Sequence, residues 1–198
     1  MTNDKHSIFK ANAIALLLKM QHAESLLDQC EREGRELDHL CKIESPATTV
    51  GVEDFDGLTD SEIVELLDEY ESELSSKIEE LGDALDEVEE IDGIEFMYNY
   101  GEEPSYYHSE DDLEWIICEM LENNKEWRES IVSDIIRGRQ WYYSLEQKQL
   151  THNKWGELVA VEDTELQAIK NNYEELLNLK EAIDEMLATL PNLVEDEE

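Results

Sequence analysis

Residues 59–92 read TDSEIVELLDEYESELSSKIEELGDALDEVEEID, and two patterns overlap in them. Thr59-Asp60-Ser61-Glu62 has the form of a capping box. The Thr59 hydroxyl accepts from the third residue's N–H, and Glu62 reaches back to the N-cap N–H. From there Ile63, Leu67, Tyr70, Leu74, Ile78, Leu81, Leu85, Val88 and Ile91 recur mostly at alternating steps of three and four, an apolar seam close to a heptad repeat. Gly93 is the expected stop. The second pattern is charge. Between Thr59 and Asp92 there are 15 acids and one base, Lys77. A helix of that length spans roughly 50 Å. It would carry one acid per roughly 3.4 Å, close to the phosphate spacing of one DNA strand. Exposed helices usually place Lys four residues from an acid, because such pairs stabilise them. Omitting those pairs costs local stability, which points to negative potential itself as the useful property.

The apolar spacing extends outward on both sides. Ahead of the acidic stretch, Phe9, Ala13, Leu16, Leu17, Met20, Leu27, Cys30, Leu37, Leu40 and Cys41 predict a first helix over about residues 7–42, weakened at Gly34. Ser45-Pro46 ends it, since the residue before a proline leaves the helical region. A linker with Gly51 and Gly57 follows. Beyond the acidic stretch, residues 93–108 are irregular and aromatic, with room for a short strand at Ile94–Tyr98. Ser109 to Asp112 read as another N-cap. Leu113, Ile116, Met120, Trp127, Ile131, Ile135, Tyr142 and Leu145 predict a third long helix to about Leu150, interrupted or kinked at Gly138. Leu158–Val161 suits a short strand, and a fourth helix covers about Thr164–Leu190, closed by Pro191. The expected fold is therefore mainly all-α. It is an elongated helical bundle or coiled coil of about four long helices, with at most a short two-stranded element in the connectors. The expected parts are an N-terminal helix (1–44), the acidic helix with its aromatic connector (45–108), a two-helix C-terminal part (109–190) and an acidic tail (191–198), together one domain.

The chain has 198 residues, 40% of them hydrophobic. That is enough to build a core and excludes a wholly disordered acidic tail. Its formal charge is −37, and repulsion of that size opposes the compact state. The charge is not spread evenly. Residues 1–42 carry a net −1, residues 43–124 a net −27 and residues 125–198 a net −9. Salt adaptation would spread acid over the whole surface. One contiguous acidic stretch reads better as a face made for a cationic partner.

No pattern of catalytic or metal-ligating residues emerges. Cys30, Cys41 and Cys118 are an odd set without paired spacing, expected as small buried hydrophobes in a reducing compartment. Asp54-Phe55-Asp56-Gly57 fails as a calcium loop. With Gly57 at its sixth position, Val52 and Ile63 fall where oxygen ligands are needed. Glu36-Leu37-Asp38-His39 has one half of a di-metal spacing but lacks the second pair. The five histidines form no zinc pattern, and no phosphate loop or nucleophile elbow is present. The chain is thus read as a non-enzyme without cofactor or metal. Arg137, Arg139 and Trp141-Tyr142-Tyr143 mix bases with aromatics, but beside 52 acids they read as packing and internal charge partners rather than a nucleic-acid platform. The apolar run Ala13–Leu18 is too short to span a membrane, and an anionic membrane repels the chain.

In charge, size and helix content the chain resembles the small, very acidic proteins of phages and mobile elements that mimic DNA. Those proteins occupy the DNA grooves of restriction enzymes, CRISPR effectors or nucleoid proteins. The resemblance implies an anti-restriction or anti-CRISPR inhibitor in a bacterial host cytosol. Its partner would be a basic nucleic-acid-binding protein, and it would bind neither nucleic acid nor membrane itself; a homodimer is compatible with this. The contacts expected are Glu62, Glu65, Asp68, Glu69, Glu73, Glu79, Glu80, Asp83, Asp86, Glu87 and Glu90, with Glu110, Asp111, Asp112 and Glu114 at the next helix start. The alternative is an acidic chaperone or adaptor for a basic client, told apart from the first by whether DNA competes for the same partner.

Overall fold

A computed structural model of the chain describes residues 2–37, 39–46, 49–98, 103–136, 143–161 and 164–191. It divides into two compact units, one formed by Met1–Glu87 with Glu165–Glu198 and the other by Val88–Thr164.

The first unit is built on three long helices, α1 (Thr2–Gly34), α2 (Asp60–Asp86) and α5 (Glu165–Thr189). Each buries one apolar stripe against the other two. Phe9, Ala13, Leu16, Leu17, Met20, Leu27 and Cys30 face inward from α1. Ile63, Leu67, Tyr70, Leu74, Ile78 and Leu81 do so from α2, and Leu166, Ile169, Leu176 and Ile183 from α5. Side-chain pairs fix the directions. His6 meets Asp60 at 2.8 Å and Tyr70 donates to Glu24, so α1 and α2 run the same way. Lys180 lies 3.8 Å from Glu71 and the Tyr173 hydroxyl sits against Gly82, so α5 runs against α2 and hence against α1, which it meets through His22–Glu175 at 3.1 Å.

Two successive parallel helices need a connection that travels back their full length, and residues 35–59 supply it. Short 3-10 turns at Leu40–Lys42 and Val52–Phe55 tuck Leu40 and Phe55 into the core, with Leu37, Ile43 and Val50 beside them. Ser45 donates to Glu31, Gln21 to the Val50 carbonyl, and Lys10 to Asp56. These contacts step backward along α1 as the connector advances. The predicted linker is therefore a packed return strap, and the first helix stops at Gly34 instead of reaching Lys42.

The second unit overturns the all-α expectation. It holds a four-stranded antiparallel sheet, order β2-β1-β3-β4, with β1 at Ile91–Tyr98, β2 at Ser105–Tyr107, β3 at Tyr143–His152 and β4 at Leu158–Ala160. Helices α3 (Glu110–Asn123) and α4 (Lys125–Ile136) lie between β2 and β3 in sequence. The protein is thus mixed α/β, not a bundle or coiled coil of four long helices. The predicted third helix is two short helices and a strand. Its break falls at Asn123-Asn124, where the Asn124 carbonyl accepts the first α4 bond from Arg128 N–H at 3.2 Å; asparagine favours this capping role. The short strand expected at Ile94–Tyr98 falls within β1 and the one at Leu158–Val161 overlaps β4; between them in the sheet runs β3, over residues predicted helical to about Leu150.

In β1–β3 the register runs from Ile91↔Leu150 to Tyr98↔Tyr143. Gly93, expected to stop the acidic helix, sits buried within β1. A Cβ there would stand 2.6 Å from the Tyr107 carbonyl oxygen and collide with Leu150, so only glycine lets β2 and β3 close in. The β3–β4 turn is tied by Asn153. Its Oδ1 accepts the N–H groups of Trp155 and Glu157, at 3.0 and 2.9 Å. Gly156 adopts φ 79°, a region costly for other residues.

Candidate functional site

The acidic helix begins as its sequence requires. The Thr59 hydroxyl accepts from the Glu62 N–H at 3.4 Å, and the Glu62 carboxylate accepts from the Thr59 N–H at 2.7 Å. Those bonds, to the Thr59 backbone first and its hydroxyl second, hold the Glu62 carboxyl below its ordinary range. Burial on the inner side then sets which side chains point outward. At 27 residues the helix is roughly 40 Å long. It ends at Asp86, short of Asp92.

Of the predicted contacts, Glu62, Glu65, Asp68, Glu69, Glu79, Glu80, Asp83 and Asp86 are exposed on α2, with Glu87 just past its end. Glu73 is half-buried. Some of these acids already serve the fold: Glu62 in the cap, Glu80 with Lys77 at 3.0 Å, and Glu87 with His39 at 3.3 Å. Glu65, Asp68, Glu69, Glu79, Asp83 and Asp86 remain open to solvent. The face has a gap. Ser72 and Ser76 occupy its middle, so Glu69 and Glu79 stand roughly 15 Å apart along the axis. The single base of the stretch, Lys77, lies half-buried at the flank of the gap.

Packing explains how such a helix persists. Like-charge neighbours such as Glu65–Glu69, Glu79–Asp83 and Asp83–Glu87 cost about 0.2–0.5 kcal/mol each. Burying Ile63, Leu67, Tyr70, Leu74, Ile78 and Leu81 contributes roughly 1.5–3 kcal/mol per side chain. The inner seam outweighs the outer repulsion, and the acids are held on a rigid support.

Glu90, Glu110, Asp111, Asp112 and Glu114 belong to the second unit. All are exposed. Glu110, Asp111 and Asp112 form the first turn of α3, where negative charge suits the helix N-terminus. The Ser109 hydroxyl accepts from the Asp112 N–H at 3.2 Å, as the predicted N-cap requires, and donates to the Asp112 carboxylate at 2.9 Å. Glu110 lines a cleft of about 410 Å³ with Asp92, His108 and Glu146.

No known protein family, curated protein or solved structure matches the chain.

Several features escaped the sequence reading. Helix α5 packs beside α2 and exposes Glu174, Glu181 and Glu185, which enlarge the acidic surface of the first unit; their spacing of seven and four places them together on a helix. Phe96, Tyr106 and Tyr107 are half-buried. The prominent exposed aromatics are instead Trp115 and Trp155, each 65% exposed, with Lys154 over the Trp155 ring at 4.5 Å. Cys30 is buried as expected, and burial pushes its thiol up to about 11. Cys118 is exposed, against expectation. The side chain of Cys41 and the stretch Arg137–Tyr142 lie outside the described residues. Asp54 accepts from the Gly51 N–H at 2.7 Å and Asp56 from Lys10 at 2.9 Å, so both acids of the rejected calcium loop bind protein groups. Among the described residues, no three His, Cys, Asp or Glu side chains gather as metal ligands, and no helix is long and apolar enough to cross a membrane.

Proposed function

We propose that the chain is an acidic DNA-mimic inhibitor whose α2 face occupies the basic nucleic-acid groove of a partner protein. One observation carries the reading: the outward side of α2 presents acids from Glu62 to Glu87, while the lone lysine of the helix is half-buried and bound to Glu80. A rigid array of this kind attracts a cationic groove at long range, speeds association and weakens with salt. Its carboxylates stand in for phosphates and exclude nucleic acid by competition. The partner is a basic nucleic-acid-binding protein of a bacterial host, such as a restriction or CRISPR component.

The serine gap supports a second reading. Two acidic clusters separated by Ser72 and Ser76 also suit an adaptor that neutralises two basic patches of a client.

Affinity capture from bacterial extract at low salt, with and without competing duplex DNA, tests both. The comparison protein carries Glu65→Lys, Asp68→Lys, Glu69→Lys, Asp83→Lys and Asp86→Lys. Exposed pairs are worth about 0–1 kcal/mol each, and each reversal also turns attraction into repulsion, so five together reach up to roughly 5 kcal/mol, more than a thousandfold in affinity. The inhibitor reading expects a nucleic-acid-binding protein that DNA displaces and the reversed protein fails to capture. Capture that survives competing DNA favours the adaptor. Capture unchanged by the five reversals removes α2 as the contact face.

A further inference from the structure

The N-terminal half of α1 departs from the rest of the surface. Between Ser7 and Leu18 its exposed positions are Ser7, Ile8, Ala11, Asn12, Ala15 and Leu18, all uncharged. Ile8 and Leu18 are 54% and 58% exposed, large values for aliphatic side chains on a well-packed helix. Ile8, Ala11, Ala15 and Leu18 follow steps of three, four and three, a single stripe along the helix.

We propose that this stripe pairs antiparallel with the same stripe of a second copy of the chain. Two arguments single out that occupant. The first is symmetry. The spacing is palindromic about position 13, so a two-fold axis there sets Ile8 over Leu18 of the second copy and Ala11 beside its Ala15. That is the self-complementary form an isologous contact needs, and the central alanines allow the helices to approach closely. The second argument is charge. Contact between two copies of a −37 chain is opposed wherever acids face each other. Residues 5–23 contain no acid, and the bases there include Lys5, Lys10 and Lys19. At the borders of the stripe the nearby acids are held by groups of α1, Asp56 by Lys10 at 2.9 Å, Asp60 by His6 at 2.8 Å and Glu175 by His22 at 3.1 Å. Here two copies meet with the least repulsion. The stripe spans only roughly 15 Å, so the contact is small and the dimer dissociates in the micromolar range.

This inference is independent of the α2 reading, since the surface lies on another helix and the salt response has the opposite sign. Sedimentation velocity of the full chain over roughly 1–200 µM, at about 0.1 and 0.5 M salt, tests it. The dimer fraction should rise with concentration and with salt, as screening relieves the repulsion between copies. Ala15→Glu and, separately, Leu18→Glu should each weaken dimerisation at least tenfold with unchanged helicity, both sites being exposed. Ser76→Glu, on α2, should leave it unaltered. A monomer at every concentration, a dimer indifferent to both α1 substitutions, or a dimer that dissolves as salt rises would each overturn the proposal. So would a monomer that floats with anionic vesicles in an Ala15-dependent manner, which would assign the stripe to a lipid surface.

Discussion

Replacing Tyr70 with Phe removes one hydroxyl from the interior of the first unit and leaves the ring in place. Tyr70 is 1% exposed, and its O–H donates to the Glu24 carboxylate. A hydrogen bond to a charged group is worth about 1.5–3 kcal/mol. Glu24 also accepts from the Thr49 hydroxyl at 3.2 Å and is only half-buried, so it recovers part of the loss from water. The expected cost of Tyr70→Phe is therefore about 1–2 kcal/mol, measured by urea unfolding followed by circular dichroism. The same pair makes a second demand. Burial, then the bond to Glu24, then the charges of Glu24, Glu73 and Asp28 push the Tyr70 phenol well above its ordinary range. The folded state thus resists deprotonation more than the unfolded chain does, whose tyrosines titrate near about 10. The Tyr70 contribution is complete below that pH and is lost as pH rises past it toward the folded value, by up to about 1.4 kcal/mol per pH unit. Phenylalanine does not titrate. The stability difference between the two proteins should therefore shrink above about pH 10 and vanish roughly one unit higher. A difference that stays constant from pH 9 to 11 would refute the argument, and so would a cost near zero at pH 7.

Three further outcomes follow from the same geometry. Gly93→Ala should destabilise the second unit by about 1–3 kcal/mol, because the new methyl meets the Tyr107 carbonyl; hydrogen exchange should show β1 and β2 losing protection while α1 and α2 keep theirs. Thr59→Ala should cost about 1 kcal/mol. Glu62, whose carboxyl is held low by the Thr59 N–H first and its hydroxyl second, contributes stability above the ordinary carboxylate range; that share should fade as pH drops through the folded value, and should be smaller but still present in the acid titration of Thr59→Ala, which keeps the backbone bond. Cys118 should react with a thiol reagent in the folded protein at a rate near that of a free thiol, and Cys30 only on unfolding, as read by mass spectrometry of the labelled peptides.

The three helices of the first unit were legible because each pays its entropy through one continuous stripe of large apolar residues. The end of α2 was overread. Leu85, Val88 and Ile91 continue the spacing past the point where the chain leaves the helix, and no proline or glycine intervenes before Gly93. Strand β3 was misread for a different reason. Its residues Ser144 to Gln149 are exposed or half-buried, so no alternation of apolar and polar side chains marks it, and Glu146, Gln147 and Lys148 are good helix formers. Its identity comes from backbone pairing with β1, a property of the partner strand rather than of its own composition. The acids of α2 were legible individually. Which of them face outward, and that Ser72 and Ser76 interrupt them, depended on the position of the inner seam. The acids of α5 were missed because lysines are interspersed among them in sequence, while the fold turns Lys180 back toward Glu71 and Asp184.

The first unit is discontinuous in sequence, and this orders its assembly on the ribosome. Helices α1 and α2 are complete by residue 87, yet the apolar grooves that receive α5 stay uncovered until residues 165–189 are made. At about 5–20 residues per second, translating the 77 residues of the intervening unit takes roughly 4–15 s. During that interval the unit that begins second can finish first, since all its strands lie within residues 88–164. The nascent α1–α2 pair meanwhile exposes the apolar surface that α5 later covers, beside a dense array of carboxylates. Charge repulsion between neighbouring nascent chains then acts as a built-in guard, keeping an unfinished helical core from clumping until its last helix arrives.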